Sequence, residues 1–359
     1  MILSPAHTAV IASVGSAFPE GAYSQQEIAA LLGLENKVVQ RLLRAPHIHK
    51  RHLFLPAPDP RTGRIPDESP AELQAKFRRG ALELGAGAID SALGAASLTV
   101  SDVDYLLCVT STGFLVPGLS SLFARELGFD RGVLRADVVG MGCNAGLNGL
   151  NPLAQWVQTH PGGVGLLVCC EINSAMYVVD QTTRTGIVNS LFGDGAAAAV
   201  VTSRAGSGGP RLIDFESFGI PEEWEAMRFD WDAGAGKWSF FLSRDIPYVI
   251  GFNLREPVER LLKRNDLELS AVRHWVLHTG GGAVIDSVKL GLGLEEHDLR
   301  HTRSVLRDYG NISSGSFLVS LQRLLAEGTM AGGDLGVLVT MGPGAQIETA
   351  LFQAGAPAC

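Results

Sequence analysis

The chain has 359 residues, with 29 basic and 37 acidic side chains and a formal net charge of -8. This balance argues against nucleic acid as the main partner, and a chain of this length can bury a large core without disulfides or metals. Its five cysteines show neither even spacing nor a C-x-x-C pair, which argues against a disulfide framework and structural zinc. We find no basic leader and no apolar run long enough to span a membrane, so we expect a cytoplasmic protein.

Short apolar runs alternate with helical patterns along the chain. TAVIASVG and DYLLCVTST predict strands, whereas SQQEIAALLG and PGLSSLFARELG predict helices, the first of which begins with a capping box between Ser24 and Glu27. The later runs GVGLLVCCE and GDLGVLVTMG are apolar throughout, as expected when helices cover both faces of a sheet. The alternation predicts an α/β protein with a central sheet.

The two halves of the chain repeat one arrangement. DYLLCVTSTG is similar to RHWVLHTGGG, VGLLVCCEI is similar to LGVLVTMGP, and the runs GDGAAAAVVTS and GAQIETALF follow in their respective halves. We therefore predict two copies of one β/α unit, joined near the Gly- and Pro-containing segment Ser203–Pro210. The segment Phe215–Tyr248 breaks the pattern, and we expect it to be an insertion that lines a binding cavity.

The stretch ADVVGMGCNAGLNGL places a cysteine among glycines. Val138 and Val139 predict the end of a buried strand, and helical spacing starts at Ala145, so Cys143 lies in the turn that opens a helix. Three interpretations are open for this turn. It could be a phosphate cradle like a dinucleotide fingerprint, a nucleophile whose pKa is lowered at a helix N-terminus, or a buried structural cysteine.

A nucleophilic Cys143 needs a base and an oxyanion stabiliser, and the second half offers both. His278 ends the predicted strand HWVLH, at the sheet edge where open α/β folds place their sites, although a structural histidine is the alternative. Asn311 precedes a helical pattern in DYGNISSGS, where a helix cap is the alternative.

Four stretches together, GMGCNAG, LFGDGAAAA, HTGGGAVID and DYGNISSGS, resemble the type III polyketide synthases over essentially the whole chain. These are the chalcone-synthase-like branch of the thiolase-fold condensing enzymes. The resemblance implies a thiolase fold in which two duplicated β/α halves, 1–205 and 206–359, form αβαβα layers. It implies Cys143 as the acyl-carrying nucleophile, His278 and Asn311 as its partners, and Phe192 as the gatekeeping phenylalanine. The glycines around Cys143 then allow close backbone approach around an acylated sulfur rather than phosphate binding.

The resemblance also implies how substrates bind. Coenzyme A thioesters are the substrates, and no metal, flavin or nicotinamide is required. Arg41, with Lys37 and Arg44 as neighbours, would contact coenzyme A at the tunnel mouth, and Ala283 would lie beside the pantetheine arm; a solvent-exposed basic helix face is the alternative for the three basic residues. The cavity residues implied are Thr112, Val116, Asn173, Met176 and Ser313.

The family resemblance further implies a homodimer and a reaction. Val116 would reach into the partner's cavity, the alternative being that it packs within its own subunit. Cys143 would form a thiolate of low pKa with His278, and His278 with Asn311 would stabilise the enolate left when malonyl-CoA loses carbon dioxide. An apolar Phe192 would desolvate the malonyl carboxylate and favour its loss.

Within the family, the stretches CCEINSAMYV, TRTGIVNSLFGDG and HKRHLFLP are most similar to bacterial enzymes that make 3,5-dihydroxyphenylacetyl-CoA. This implies four malonyl-CoA units, aldol ring closure, and downstream helper enzymes of the dehydratase type.

Three alternatives remain open. They are another type III product (tetrahydroxynaphthalene, a resorcinol or a pyrone), a ketoacyl synthase III-like enzyme, and a non-catalytic acyl-CoA-binding module. The HTGG at His278 argues against a ketoacyl synthase III-like enzyme. The presence of all three catalytic residue types argues against a non-catalytic module. Where the family usually has His-Pro-Gly-Gly and Gly-Phe-Gly-Pro-Gly, this chain has HTGG and TMGPG, which puts the cavity shape in doubt but not the triad.

Overall fold

A computed structural model describes residues 8–204, 206–234 and 236–355. The ends of the two predicted halves, at Met1, Ala205 and Cys359, lie outside the described residues.

The described chain forms a nine-stranded sheet and two small two-stranded sheets. The order in the large sheet is β11-β12-β13-β8-β1-β7-β6-β4-β5, and the small sheets pair β9 with β10 and β2 with β3. The strands are β1 (Val10–Ala17), β2 (Ala22–Ser24), β3 (Lys50–His52), β4 (Tyr105–Thr110), β5 (Leu134–Val139), β6 (Val164–Glu171), β7 (Gly195–Thr202), β8 (Arg211–Gly219), β9 (Met227–Asp232), β10 (Lys237–Leu242), β11 (Val272–Leu277), β12 (Leu335–Gly342) and β13 (Gln346–Gln353).

Helices cover the sheet where the helical patterns predicted them. The capping box of α1 is confirmed, because the Ser24 hydroxyl accepts from the Glu27 N–H and the Glu27 carboxylate accepts from the Ser24 N–H. None of the described helices is long and apolar enough to cross a membrane. The helices are α1 (Gln25–Leu31), α2 (Lys37–Leu43), α3 (Pro70–Ala95), α4 (Leu119–Leu127), α5 (Ala145–Thr159), α6 (Thr183–Leu191), α7 (Ile246–Asn253), α8 (Arg255–Arg264), α9 (Gly282–Leu292), α10 (Arg300–Tyr309) and α11 (Ser316–Glu327).

The strand pairing confirms the duplication. In the first half β4 runs parallel to β6, which pairs antiparallel with β7, which pairs antiparallel with β1. In the second half β11, β12, β13 and β8 repeat this order with the same parallel and antiparallel relations. The two sets join where Val10 in β1 lies opposite Arg211 in β8. The assignment of the halves to 1–205 and 206–359 stays a proposal, because one sheet runs through both.

The layers follow from what the helices contact. α5 and α11 each pack against strands of both halves, and Leu147 and Phe317, one from each helix, are buried in one shared core. α3 covers β1, β6 and β7 from one outer side, and α8 covers β8 and β13 from the other. The strands of the first half thus form one layer, between α3 and the pair α5 and α11. The strands of the second half form another, between that pair and α8. This order of layers confirms the αβαβα architecture.

The prediction that Val138 and Val139 end a buried strand is wrong. β5 is the edge strand and pairs only with β4 in the large sheet, so alternate residues face outward. Val139 is 44% exposed. The turn after β5 is confirmed as a helix opening, since a 3-10 turn at Gly142–Asn144 leads directly into α5.

The predicted insertion starts later than the sequence indicated. Phe215 to Gly219 belong to β8, which pairs with β13 along its length, because the aromatics there are strand residues packed in the sheet. The departure from the repeat is the β9–β10 hairpin, and residues of this hairpin line the cavities described below. The cavity-lining part of the prediction is therefore confirmed.

Candidate active site

The turn that carries Cys143 is pressed against the second half of the molecule. Gly142 has φ +80°, and a side chain at this position would overlap the Pro343 ring. A side chain at Gly146 would overlap the Ser314 carbonyl oxygen and come within 2.7 Å of Phe317 Cε1. The glycines therefore allow two turns, 142–144 and 313–315, to pack closely and bury the Cys143 thiol between them.

His278 enters the site from the end of β11. The Ser316 hydroxyl donates to the Ser313 carbonyl over 2.8 Å, so its oxygen is left to accept from His278 Nδ1–H at 2.5 Å. This arrangement leaves the lone pair of the imidazole on Nε2. His278 is therefore held with its basic nitrogen facing away from Ser316.

Asn311 joins the histidine to the cysteine. Its Oδ1 accepts from the Ser313 N–H at 2.8 Å, which directs its Nδ2 toward His278 Nε2 at 3.4 Å. Cys143 Sγ lies 3.4 Å from Ser313 Oγ, and hydrogen bonding to Ser313 and to Asn311 lowers the pKa of the Cys143 thiol. Asn311 thus accepts a hydrogen bond from the first residue of the 313–315 turn and presents its amide to the other two groups.

Burial opposes the low thiol pKa that the sequence predicted. It raises the pKa of Cys143 to about 12, against hydrogen bonds from Ser313 and Asn311 that lower it. Burial also lowers the pKa of His278 to about 3. The prediction of a low-pKa thiol is wrong for the thiol taken alone, because the start of α5 is buried rather than open to solvent.

Phe192 lies near Cys143. It lines a small cavity of about 30 Å³ together with Cys143, and its ring meets that of Phe240 edge to face, with centroids 5.7 Å apart. Its main chain forms a bridge to Asn311: Gly193 N–H donates to the Asn311 carbonyl at 3.0 Å, and Asn311 N–H donates to the Leu191 carbonyl at 2.9 Å. The backbone thus couples the gatekeeping position to the amide.

The predicted cavity residues occupy two connected spaces. Thr112 and Met176 line both the small cavity and a larger outer cavity of about 780 Å³, whereas Asn173 and Ser313 line the small one. Val116 is 81% exposed, and it is not among the residues that line either cavity of the single chain.

A separate cleft of about 490 Å³ lies on the side of α2 and α9. Ala283, at the start of α9, lines it together with Val38 and Leu42 of α2. Lys37, Arg41 and Arg44 are exposed on or at the end of α2, next to these lining residues.

Sequence reasoning missed several residues in and around these sites. Arg244 and His47 line the cleft beside Ala283. Glu171 is fully buried, and its carboxylate accepts from Ser314 Oγ at 2.6 Å and from Thr112 Oγ1 at 2.9 Å. Burial raises the pKa of Glu171. A glutamate closing the all-apolar run GVGLLVCCE was the available signal for it.

Comparisons with known proteins agree with this geometry. Residues 4–205 match the family model of the N-terminal domain of chalcone and stilbene synthases, and residues 233–355 match that of the C-terminal domain. The chain is 49% identical over 349 residues to a 3,5-dihydroxyphenylacetyl-CoA synthase of Streptomyces toyocaensis, covering 96% of this chain and 89% of that protein. It is 49% identical to the enzyme of the same name from Amycolatopsis balhimycina, over 95% and 92% of the two chains.

The fold agrees with a solved member of the same group. The 1,3,6,8-tetrahydroxynaphthalene synthase of Streptomyces coelicolor, described as a bacterial type III polyketide synthase, has a TM-score of 0.88 and 27% identity, over 97% of this chain and 99% of that one. With both family domains matched and the thiolase fold present, the chain belongs to the chalcone and stilbene synthase family and is a type III polyketide synthase.

Proposed function

We propose that this enzyme joins malonyl-CoA units on Cys143 and closes the chain to 3,5-dihydroxyphenylacetyl-CoA. The observation that carries the mechanism is the set of contacts that links Cys143 through Asn311 to His278, beside a cavity that Cys143 and Phe192 line. The names of the two relatives that are 49% identical support the product.

Loading begins with proton transfer from the Cys143 thiol to His278 Nε2. Burial keeps each group neutral by itself, whereas the transfer creates two opposite charges within one buried site, and their attraction offsets part of the desolvation. The thiolate then attacks the thioester carbonyl of the acyl-CoA, and coenzyme A leaves as its thiolate, which takes a proton. The acyl group remains on Cys143.

Extension depends on stabilising an enolate. Malonyl-CoA loses its carboxylate as carbon dioxide, and the electron pair of the broken bond moves onto the thioester oxygen and the adjacent carbon. The Asn311 amide donates to that oxygen, and His278 supplies a second N–H when protonated at Nε2. Apolar Phe192 leaves the departing carboxylate without a compensating charge, which favours its loss. The enolate carbon then attacks the acyl group on Cys143.

Coenzyme A would bind in the cleft beside Ala283. Lys37, Arg41 and Arg44 on α2 supply positive charge next to this cleft, and Arg244 adds a fourth cation among its lining residues. These charges complement the phosphates of coenzyme A. The pantetheine arm would pass the backbone at Ala283.

The enzyme would act as a homodimer in the cytoplasm, without a metal or redox cofactor. The exposed Leu134 and Val139 of the edge strand β5, together with the exposed Val116, offer apolar surface for a second copy. Val116 would then reach the partner's cavity. Helper enzymes of the dehydratase type would act on the released product.

The decisive experiment supplies malonyl-CoA as the sole substrate, with and without a metal chelator. We expect mass spectrometry to find 3,5-dihydroxyphenylacetyl-CoA in both samples. With Cys143→Ala it should find no condensation product. Peptide mapping should find the acyl adduct on Cys143. A different carbon skeleton would contradict the product, and an adduct confined to Cys169 or Cys170 would contradict the nucleophile.

A further inference from the structure

A buried arginine outside the catalytic triad holds the segment that carries Phe192. Arg51, in β3, is fully buried. Its Nε donates to Gln25 Oε1 at 2.9 Å, and its Nη1 donates to the Tyr177 hydroxyl at 2.9 Å and to the Phe192 carbonyl at 2.7 Å. The Tyr177 hydroxyl donates to the same Phe192 carbonyl at 2.9 Å. Two donors therefore converge on one backbone oxygen of the gatekeeping residue.

The placement of this cation is costly. Arg51 Nη2 is buried and has no hydrogen-bond partner among the described residues. The carboxylate that acts on it electrostatically, Asp194, is itself occupied by the Ser174 hydroxyl and by the N–H groups of Ser174 and Phe54. A buried charge without close compensation destabilises a fold, so a chain that needed only packing here would be better served by an apolar side chain.

The stem of Arg51 also lies against the backbone next to Asn311. Gly310 has φ +72°, and a side chain there would come within 2.9 Å of Arg51 Cγ and Cδ. Gly310 directly precedes Asn311, whose main chain bridges the residues on either side of Phe192. One side chain thus touches both segments, its head binding the Phe192 carbonyl and its stem packing beside Asn311.

We propose that Arg51 is a positioning residue for decarboxylation: it fixes the Phe192 carbonyl and thereby holds Phe192 and Asn311 in register over the Cys143 pocket. This inference rests on the proposed roles of Phe192 and Asn311. The proposal predicts that loss of Arg51 affects decarboxylation more than loading. Loading of Cys143 needs His278 rather than Phe192, whereas loss of carbon dioxide needs both Phe192 and Asn311.

The test is Arg51→Met, which keeps the length of the stem and removes the guanidinium. We expect release of carbon dioxide from malonyl-CoA to fall on the order of 100-fold in kcat, while KM and the acylation of Cys143 by a saturated acyl-CoA change little. The melting temperature should stay level or rise, since a buried charge has been removed. Arg51→Lys should not restore the rate, because one ammonium group cannot reach Gln25 and Phe192 together.

Arg211→Met is the matched control. Arg211 is partly buried. Like Arg51, it hydrogen-bonds a neutral side chain, that of Gln353, and has a buried guanidinium nitrogen, Nε, without a partner in the described chain, but it lies at the β1–β8 junction. We expect native carbon dioxide release from it. Amide hydrogen exchange at Gly193 and Asn311 should be faster in Arg51→Met and unchanged in Arg211→Met.

Unchanged carbon dioxide release in Arg51→Met, or a parallel loss of acylation, decarboxylation and melting temperature, would overturn the proposal. If that variant does not fold, Arg51→Lys decides, because it keeps a cation and a stem but cannot reach Gln25 and Phe192 together: a loss of decarboxylation at native melting temperature and native acylation supports the role of Arg51, and a native rate of decarboxylation overturns it. Failure of the native enzyme to decarboxylate malonyl-CoA would instead refute the proposed function, and the exchange rates would still test whether Arg51 holds the bridge.

Discussion

His278 Nδ1 lies 2.5 Å from the hydroxyl oxygen of Ser316. Because that hydroxyl donates to the Ser313 carbonyl, the imidazole is anchored through one side chain to the backbone of the turn that opens α11. The same turn bears Ser313, which hydrogen-bonds the Cys143 thiol. The proposed base, His278, and the proposed nucleophile, Cys143, are therefore both contacted by one short segment, and a change at Ser316 should act through His278.

Removing this anchor should slow the enzyme without unfolding it. In Ser316→Ala the imidazole loses its Nδ1 acceptor, so we expect kcat for condensation and the rate of Cys143 alkylation by iodoacetamide to fall together by roughly 10- to 100-fold. Ser320→Ala is the control, because it removes a buried hydroxyl one turn further along α11 that donates to the Ser316 carbonyl and does not touch His278. Equal rates in the two variants would show that Ser316 does not orient the histidine.

The pH dependence of alkylation should reveal proton transfer to His278. The thiolate is the reactive form, and burial raises the pKa of Cys143 to about 12, so without a proton acceptor the reactive fraction grows with every step in pH below that value. In His278→Ala we expect inactivation by iodoacetamide to rise about tenfold per pH unit from about pH 6 to about pH 9. In the native enzyme the rate of inactivation should stop rising at a lower pH than in His278→Ala, because His278 takes the proton of the Cys143 thiol.

The comparison for this profile is His274→Ala. His274 lies in β11, the strand that leads to His278, but its side chain pairs with Asp334 outside the site. The His274→Ala variant should show the native pH profile. A native curve as steep as that of His278→Ala would mean that the imidazole does not accept the thiol proton.

Asn311→Ala should separate the two half-reactions. In the proposed mechanism the Asn311 amide donates to the enolate oxygen during decarboxylation, and loss of one such donor typically costs about 2.7 to 4 kcal/mol of transition-state stabilisation. We therefore expect carbon dioxide release to fall about 100- to 1000-fold, while a saturated acyl-CoA still acylates Cys143. Both steps are measured on the same sample, by trapped carbon dioxide and by peptide mass. Equal loss of the two would refute the division of roles.

The close packing of the two site turns can be tested through stability. In Gly146→Ala the new methyl group would overlap the Ser314 carbonyl, a backbone atom that cannot rotate away, so we expect a loss of about 1 to 3 kcal/mol in the free energy of unfolding. Gly94→Ala is the control: it lies near the end of α3 with open space at the added position, and should gain about 0.4 to 1 kcal/mol. Chemical denaturation measures both, and a stable Gly146→Ala would contradict the packing argument.

The parts of the site that sequence patterns anticipated are those that local structure determines. Cys143 follows a strand and opens a helix, and His278 ends a strand, so their placement at one end of the sheets follows from element order and the duplication. The hydrogen bond from the Ser313 N–H to the Asn311 side chain is equally local, because it joins residues two apart.

What the sequence did not indicate depends on contacts between distant segments. The apolar residues Val138 and Val139 do not show whether their strand lies inside the sheet or at its edge, since apolar residues occur both in interior strands and at interfaces. The high thiol pKa of Cys143 arises from burial, which is a property of the assembled layers. Arg51 looks like one of several basic residues in HKRHLFLP, and only its hydrogen bonds to residues far along the chain distinguish it.

The last prediction concerns the exposed Val116. In the single chain this side chain is 81% exposed, next to Pro117, which restricts the loop. If a second copy covers it, Val116→Trp should place added bulk in the partner's cavity and shorten the polyketide or change the starter, because the outer space of about 780 Å³ would be narrowed from across the interface. Light scattering should show a dimer for both proteins, and mass spectrometry should show the altered product. A monomeric native enzyme, or an unchanged product from a folded dimeric Val116→Trp, would show that the cavity is built within one subunit.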